Sequence, residues 1–455
     1  MASTYLTRTP SSTGNKQIFT FSAWVKRSLI TSDKFTLLGG YNGDSDTGYF
    51  DIRFLNLTDR LNLTGWDSNW QTTTRVFRDV NAWYHIVYAI DTTQATPSNR
   101  IKLYINGIQE TAFDVDTEVN RNLNFPINTS GTAMIIGRSS YTPSPIKFFN
   151  GSMSYVALVD GTQELPTIFG ETDSVTGQWK IKTDITPSVA WGTNGFLILK
   201  NGNSLTDEST NTNNFTLGGG TLTNTLDCPD NVFCTINPLN SYWAGGTFSN
   251  GNNTVVLPNK SGAWNTGTLG MTSGKYYWEI KCTGTGNGEE LQFGIADKSP
   301  TGNTGSGVAG TAFGINSNGE YGIYAYNGAF IGNGVSNPYT SYGSSTANGI
   351  AMFAVDLDNN KFYGGLNGTW FASGNPATGA NGKTIQAVAD TQDGCYYPAV
   401  GTYQGYTGTA ECNFGNGYFG TTAVTSAGTA GSTPGTFEYD VPSGFQPLST
   451  KGLNA

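Results

Sequence analysis

The chain has 455 residues, more than one hydrophobic core usually serves, so two or more domains are expected, in the range of roughly 200 residues each. Charged residues make up only 13%, aromatics another 13%, and glycine fills 60 positions, a balance that suits short strands and polar turns and argues against helix. The net charge of −9 argues against nucleic acid and anionic lipid as partners, and no apolar run reaches membrane-spanning length.

The N-terminal segment MASTYLTRTP has neither a basic start nor an apolar h-region, so no cleaved export signal and a cytoplasmic site of synthesis are expected. In FTFSAWVKR (19–27), Phe19, Phe21, Ala23 and Val25 alternate with Thr20, Ser22 and Trp24, the period of a strand with one buried face. The same signal returns in YFDIRF (49–54), WYHIVYAID (83–91), RIKLYING (100–107), MIIG (134–137) and GSMSYVALVDG (151–161), with turn residues between. Asn106-Gly107 is a two-residue turn able to take positive φ and close a hairpin after Tyr104. Short strands at this spacing imply an all-β sandwich.

These residues also resemble the laminin-G-like and pentraxin-like branch of the concanavalin A-like sandwiches. The matching elements are Phe21 to Val25, Trp83-Tyr84-His85 running into Leu103 to Gly107, Ile136-Gly137 and Phe149-Asn150-Gly151, which places a first sandwich at 1–165.

Residues 166–259 carry fewer alternating runs, and include the Gly218-Gly219-Gly220 cluster. They are read as an extended linker whose Trp191, Phe196, Phe215, Phe233 and Leu239 dock on the sandwiches. The string from Asp207 through Asn214-Phe215-Thr216 to Asn237-Pro238-Leu239 is similar to a connector in proteins of tailed phages, where it joins a laminin-G-like to a SPRY-like domain.

Strand patterns resume in YYWEIKC (276–282), LQFGIAD (291–297), TAFGIN (311–316) and YGIYAY (321–326). In IAMFAVDLDNNKFYGGLNGTW (350–370), Val355 and Leu357 are expected to face a core, Asp356 and Asp358 to face out, and Asn359-Asn360 to turn the chain. With Trp278-Glu279, Phe293-Gly294-Ile295, Tyr397 to Val400 and Cys412 to Gly415, this resembles the SPRY domain over 260–420, followed by a C-terminal tail at 421–455. The fold expected is therefore two concanavalin A-like jelly-roll sandwiches joined by an extended linker.

Chemistry for catalysis is sparse. The sole histidine, His85, lies in an apolar strand and is read as structural, with its ring hydrogen-bonded. The clustered acids Glu-x-Asp-x-x-Glu of concanavalin A-like glycanases are absent, and Glu289-Glu290, being adjacent, point to opposite strand faces. No enzyme is expected. Five cysteines, Cys228, Cys234, Cys282, Cys395 and Cys412, follow no metal-ligand spacing and are read as free, buried thiols.

Calcium is the cofactor that the laminin-G-like resemblance implies. The one cluster with alternating oxygen ligands is Asn42, Asp44 and Asp46 in NGDSDTG, but Thr47 stands where an EF-hand loop wants glycine and Arg53 where it wants glutamate, so a solvated turn is the better reading. Loop aromatics offer sugar-stacking faces: Trp66 and Trp70 beside Asp67 and Asn69 in TGWDSNWQ, then Tyr339, Tyr342, Tyr403 and Tyr406.

The resemblances together imply a non-enzymatic structural protein of a phage virion, made in the host cytoplasm and exposed on capsid or tail as a decoration, knob or adhesion protein. Its expected partners are other virion proteins and host-surface carbohydrate, with oligomerisation on the particle. A carbohydrate-active depolymerase is the alternative.

Overall fold

A computed structural model describes residues 3–30, 34–141, 147–242, 245–260, 262–283, 291–298, 313–314, 319–332, 342–346, 348–403, 407–425, 428 and 433–454. The chain divides into two compact units, Met1–Asn224 and Thr225–Ala455. Both are all-β, and among the described residues the helical turns are short 3-10 segments of three residues. No helix among them is long and apolar enough to cross a membrane.

The first unit stacks two antiparallel sheets. The eight-stranded sheet runs in the order Phe113–Asp116, Asn69–Val76, Arg60–Thr64, Tyr49–Phe54, Phe35–Tyr41, Met134–Ile136, Tyr5–Arg8, Thr216–Gly219. The six-stranded sheet runs Phe196–Ile198, Gly151–Asp160, Ile18–Arg27, Trp83–Asp91, Ile101–Ile105, Ile108–Gln109. Alternation supplies the core between them: Phe19, Phe21, Ala23 and Val25 from one sheet meet Phe50, Ile52, Phe54, Leu61 and Leu63 from the other. The hairpin at Asn106-Gly107 closes as its sequence requires. Both residues take positive φ, 50° and 81°, and Ile105 pairs Ile108.

The six-stranded sheet is buried on both faces, not one. Phe169, Ile185, Val189 and Trp191 cover its outer side over Val87, Ala89, Ala157 and Val159. Trp24, expected to point outward to solvent, therefore lies stacked on His85 with ring centroids 4.7 Å apart.

The second unit is again a two-sheet sandwich. One sheet runs Ile236–Tyr242, Trp264–Gly267, Tyr397–Thr402, Leu291–Ala296, Glu320–Tyr324, Ala329–Gly332. The other runs Thr247–Ser249, Thr254–Leu257, Gly408–Asn413, Lys275–Thr283, Ile350–Asp356, Lys361–Leu366, Thr369–Trp370. Trp278, Phe293, Ile295, Phe353, Val355 and Leu357 meet in its core.

Three expectations need correction. Residues 166–259 are no connector: Phe196–Ile198 and Thr216–Gly219 complete the sheets of the first unit, and strands from Ile236 onward belong to the second. Nor is 421–455 a tail. Gln446–Pro447 pairs in parallel with Tyr276 and Tyr277, and Phe437 and Phe445 bury Tyr277, Met352, Ala354 and Tyr363 on the outer face of that sheet. For the same reason Asp356 does not face solvent. It is 1% exposed, 2.9 Å from Lys275, and holds the turn by accepting from Asn359.

Candidate functional site: an aromatic and basic face on the first sandwich

Phe50, Ile52 and Phe54 point into the core, so Tyr49, Asp51 and Arg53 must project from the outer face of the eight-stranded sheet. Strand pairing sets Tyr49 opposite Tyr41, Asp51 opposite Gly39 and Arg53 beside Asn62. A Cβ at Gly39 would stand 2.8 Å from Asp51 Oδ1, so the bare glycine makes room for the carboxylate.

The polar groups form one network. Tyr49 Oη donates to Asp51 Oδ2 at 2.5 Å, and Lys147 Nζ donates to Tyr49 Oη at 2.8 Å. Lys147 and Arg53 lie 3.7 and 3.9 Å from Asp51. Arg53 Nε donates to Asn62 Oδ1 at 3.0 Å, and Asn62 Nδ2 donates on to Asn69 Oδ1 at 2.6 Å. Burial pushes the Asp51 carboxyl and the Tyr49 hydroxyl upward, and lowers Lys147 to about 8 against the pull of Asp51.

Beside this network stands an aromatic cluster. Trp66 lies edge-on to Tyr141 at 5.1 Å and to Tyr49 at 6.1 Å, and Tyr41 packs against Tyr141 at 5.1 Å. Trp66, Tyr41 and Tyr141 are all part-exposed, whereas Tyr49 is buried.

The residues singled out from the sequence for metal binding brace this cluster. Asp44 accepts from Tyr41 Oη at 2.7 Å, Asp46 accepts from the Asp67 backbone N–H and from Ser68 Oγ, and Asn42 donates to Thr132 Oγ1. The three side chains thus serve separate partners, and no group of three metal-ligating side chains occurs among the described residues. Gly65 lets the Trp66 loop close onto Asp46, since a Cβ there would sit 2.5 Å from Asp46 Oδ1.

The TGWDSNWQ segment splits. Trp66 belongs to the face, with exposed Asp67 and Asn69 beside it, but Trp70 turns inward and meets Phe125 in the core at 3% exposure. In the second unit Tyr342 is buried and accepts from the Gly364 N–H, and the half-buried Tyr403 packs on Tyr324. Tyr339 and Tyr406 lie outside the described residues, as do Glu289 and Glu290.

Sequence reasoning missed Tyr41, Tyr49, Asp51, Arg53, Tyr141 and Lys147. The usable signal was the polar half of YFDIRF, a Tyr-x-Asp-x-Arg alternation richer in recognition groups than an ordinary solvated strand face.

Two other places are accounted for structurally. His85 is fully buried; Trp179 Nε1–H donates to Nδ1 at 3.0 Å, which leaves the proton on Nε2, 2.9 Å from Ser22 Oγ. Desolvation lowers its pKa to about 3, so it is neutral and both nitrogens are spent. An open groove of about 590 Å³ lies around Asp160, but that carboxylate already accepts from the Asn15 N–H, Asn128 Nδ2 and the Asn194 N–H. The five cysteines are free thiols, four of them buried and Cys228 partly so.

Residues 2–168 match the family described as the concanavalin A-like lectin/glucanases superfamily, so the first unit carries a sandwich of that type. Solved structures with similarity include the SPRY domain of human HERC1, at 17% identity over 39% of this chain and 96% of that one, with a TM-score of 0.29. A candidate carbohydrate-binding protein from Bacteroides ovatus matches at 18% identity over 48% of this chain and 57% of its own, with a TM-score of 0.35. A heptameric pentraxin from Limulus polyphemus matches at 14% identity over 34% and 70%, with a TM-score of 0.26. No curated protein matches the chain.

Proposed function

We propose that this is a non-enzymatic surface protein of a phage virion, on capsid or tail, whose first sandwich binds host-surface carbohydrate. The observation that carries the binding reading is the part-exposed cluster of Trp66, Tyr41 and Tyr141 beside the ordered donors of Arg53 and Lys147, both held on Tyr49 Oη. Sugar rings stack their apolar side on aromatic faces while fixed polar groups bind the hydroxyls, and this face offers both. A match to a lectin and glucanase superfamily supports carbohydrate as the ligand class. The non-enzymatic part is supported by the only histidine being neutral and saturated, and by Asp51 being sealed under Tyr49 rather than presented to a glycosidic bond. The virion part rests on the tandem laminin-G-like and SPRY-like resemblance with its phage-type string.

The full chain incubated with surface polysaccharide of a bacterial host is expected to bind it without releasing new reducing ends, and Trp66→Ala is expected to abolish binding while circular dichroism is unchanged. Appearance of reducing ends would move the protein to the depolymerase class. Immunogold electron microscopy of intact particles tests the virion assignment.

A further inference from the structure

We infer that the ligand of the outer face of the eight-stranded sheet is an acidic saccharide, a uronic acid or another carboxylate-bearing sugar, with its carboxylate seated between Lys147 and Arg53. The inference rests on the carbohydrate reading above and names the ligand class of that same face.

Charge is ordered along this face. At one end, Lys147 and Arg53 share a single carboxylate, Asp51, which is fully buried and takes the Tyr49 hydroxyl proton donor as well. Lys34 adds a further positive charge felt by Lys147. At the other end, beside Trp66, stand Asp67, exposed, and Asp44 and Asp46, which are occupied with Tyr41, Ser68 and the Asp67 backbone. The protein as a whole carries −9, so two cations on one acid at this face are a local reversal of the overall charge.

Both cations are also largely withdrawn from water, with side chains only 12% and 13% exposed for Arg53 and Lys147. Arg53 uses Nε on Asn62 and Nη1 on Tyr49, and Lys147 is engaged by Tyr49 and Asp51, so Nη2 of Arg53 and a third proton of Lys147 are left for a ligand. A desolvated, positioned cation pair with donors to spare suits a planar carboxylate far better than a hydroxyl. Burial lowers Lys147 to about 8 even with Asp51 beside it, so a second anion over the ammonium would favour its charged form.

The orientation follows. The acid group would lie over Lys147 and Arg53, the ring against Trp66 and Tyr141, and ring hydroxyls towards Asp67 and Asn69.

The test uses the full chain with a uronate-containing bacterial capsular polysaccharide, in fragments of a few residues, and the same fragments after reduction of their carboxyl groups to alcohols. Calorimetry is expected to give affinity at least about tenfold higher for the acidic form, as a charge-assisted pair in place of a neutral one predicts. Lys147→Met and Arg53→Met are expected to bring the ratio of the two affinities down to about one, because the acidic form then loses more binding than the reduced form. As a check that needs no variant, wild-type binding at pH 8 is expected to take up protons, because the anion restores the Lys147 proton, and affinity is expected to fall between pH 7 and 9. Equal binding of both forms with no proton uptake would overturn the inference and leave the carbohydrate reading standing. Binding of neither form, in a folded protein, would overturn both.

Discussion

The two units solve one problem alike and another differently. In each, a strand-rich sandwich has one sheet whose outer face is also apolar and is sealed by chain of little regularity: Phe169 to Trp191 in the first, Phe437 to Phe445 in the second. Each seal covers a buried side chain whose pKa desolvation moves well away from its ordinary value. The first buries His85, neutral, between Ser22 and Trp179; the second buries Glu279, which accepts from Tyr277 Oη, Asn413 Nδ2 and the backbone N–H groups of Glu438 and Tyr439. A base and an acid in like positions make the two units respond to pH with opposite sign. The first unit alone, among the described residues, also presents a part-exposed cluster of aromatics with two flanking cations, which is why the binding reading falls there.

The largest expected effect is the loss of the first unit in acid. His85 has a folded pKa of about 3 against an ordinary 6.5, so the unfolded chain takes the proton first and stability falls as pH drops through that window, by about 1.4 kcal/mol per pH unit. Urea melts between pH 7 and 4 read it, and His85→Gln should flatten the slope. A first unit indifferent to pH in that range would remove the asymmetry.

Next is the hairpin of the second unit. Leu357→Ala should cost about 2–5 kcal/mol in the second unit's unfolding transition and leave the first unit's unchanged. Asp356→Ala, because it leaves Lys275 and Asn359 without their acceptor, should cost about 1–2 kcal/mol, more than a solvated aspartate would.

The third expectation has the opposite sign to the first. Burial raises Glu279 to about 7 from 4.5, so the folded state binds the proton first and stability of the second unit falls as pH rises from 4.5 to 7, by about 3 kcal/mol in all. Glu279→Gln should remove this dependence in denaturant melts. The smallest effect on stability comes from Trp66→Ala. Its part-exposed ring should contribute under about 1.5 kcal/mol to folding, while Trp70→Ala, in the core, should cost about 3–5 kcal/mol. Similar costs for the two would erase the division between face and core.

Strand positions were legible wherever period-2 alternation is written locally: Phe19, Phe21 and Val25 point inward for the reason their spacing implies, and Asn106-Gly107 turns where it must. The hydrogen-bonded, structural His85 was legible from its apolar strand. The sealing segments were not, since 166–191 and 433–448 carry no period and their apolar residues are explained only by the sheet face they cover.

The candidate site was half legible for the same reason. Composition and alternation by themselves determined an all-β chain with two cores, and flagged Trp66. Only tertiary structure decided that Trp66 and Trp70 part company, because Trp66 sits in the turn after Arg60–Thr64 whereas Trp70 lies on the strand Asn69–Val76 that packs on Phe125 in the core. Only tertiary structure brought Lys147 within 2.8 Å of Tyr49, from 98 residues away in the chain, since a side chain's partners across a sheet follow from strand order and not from any spacing along the sequence.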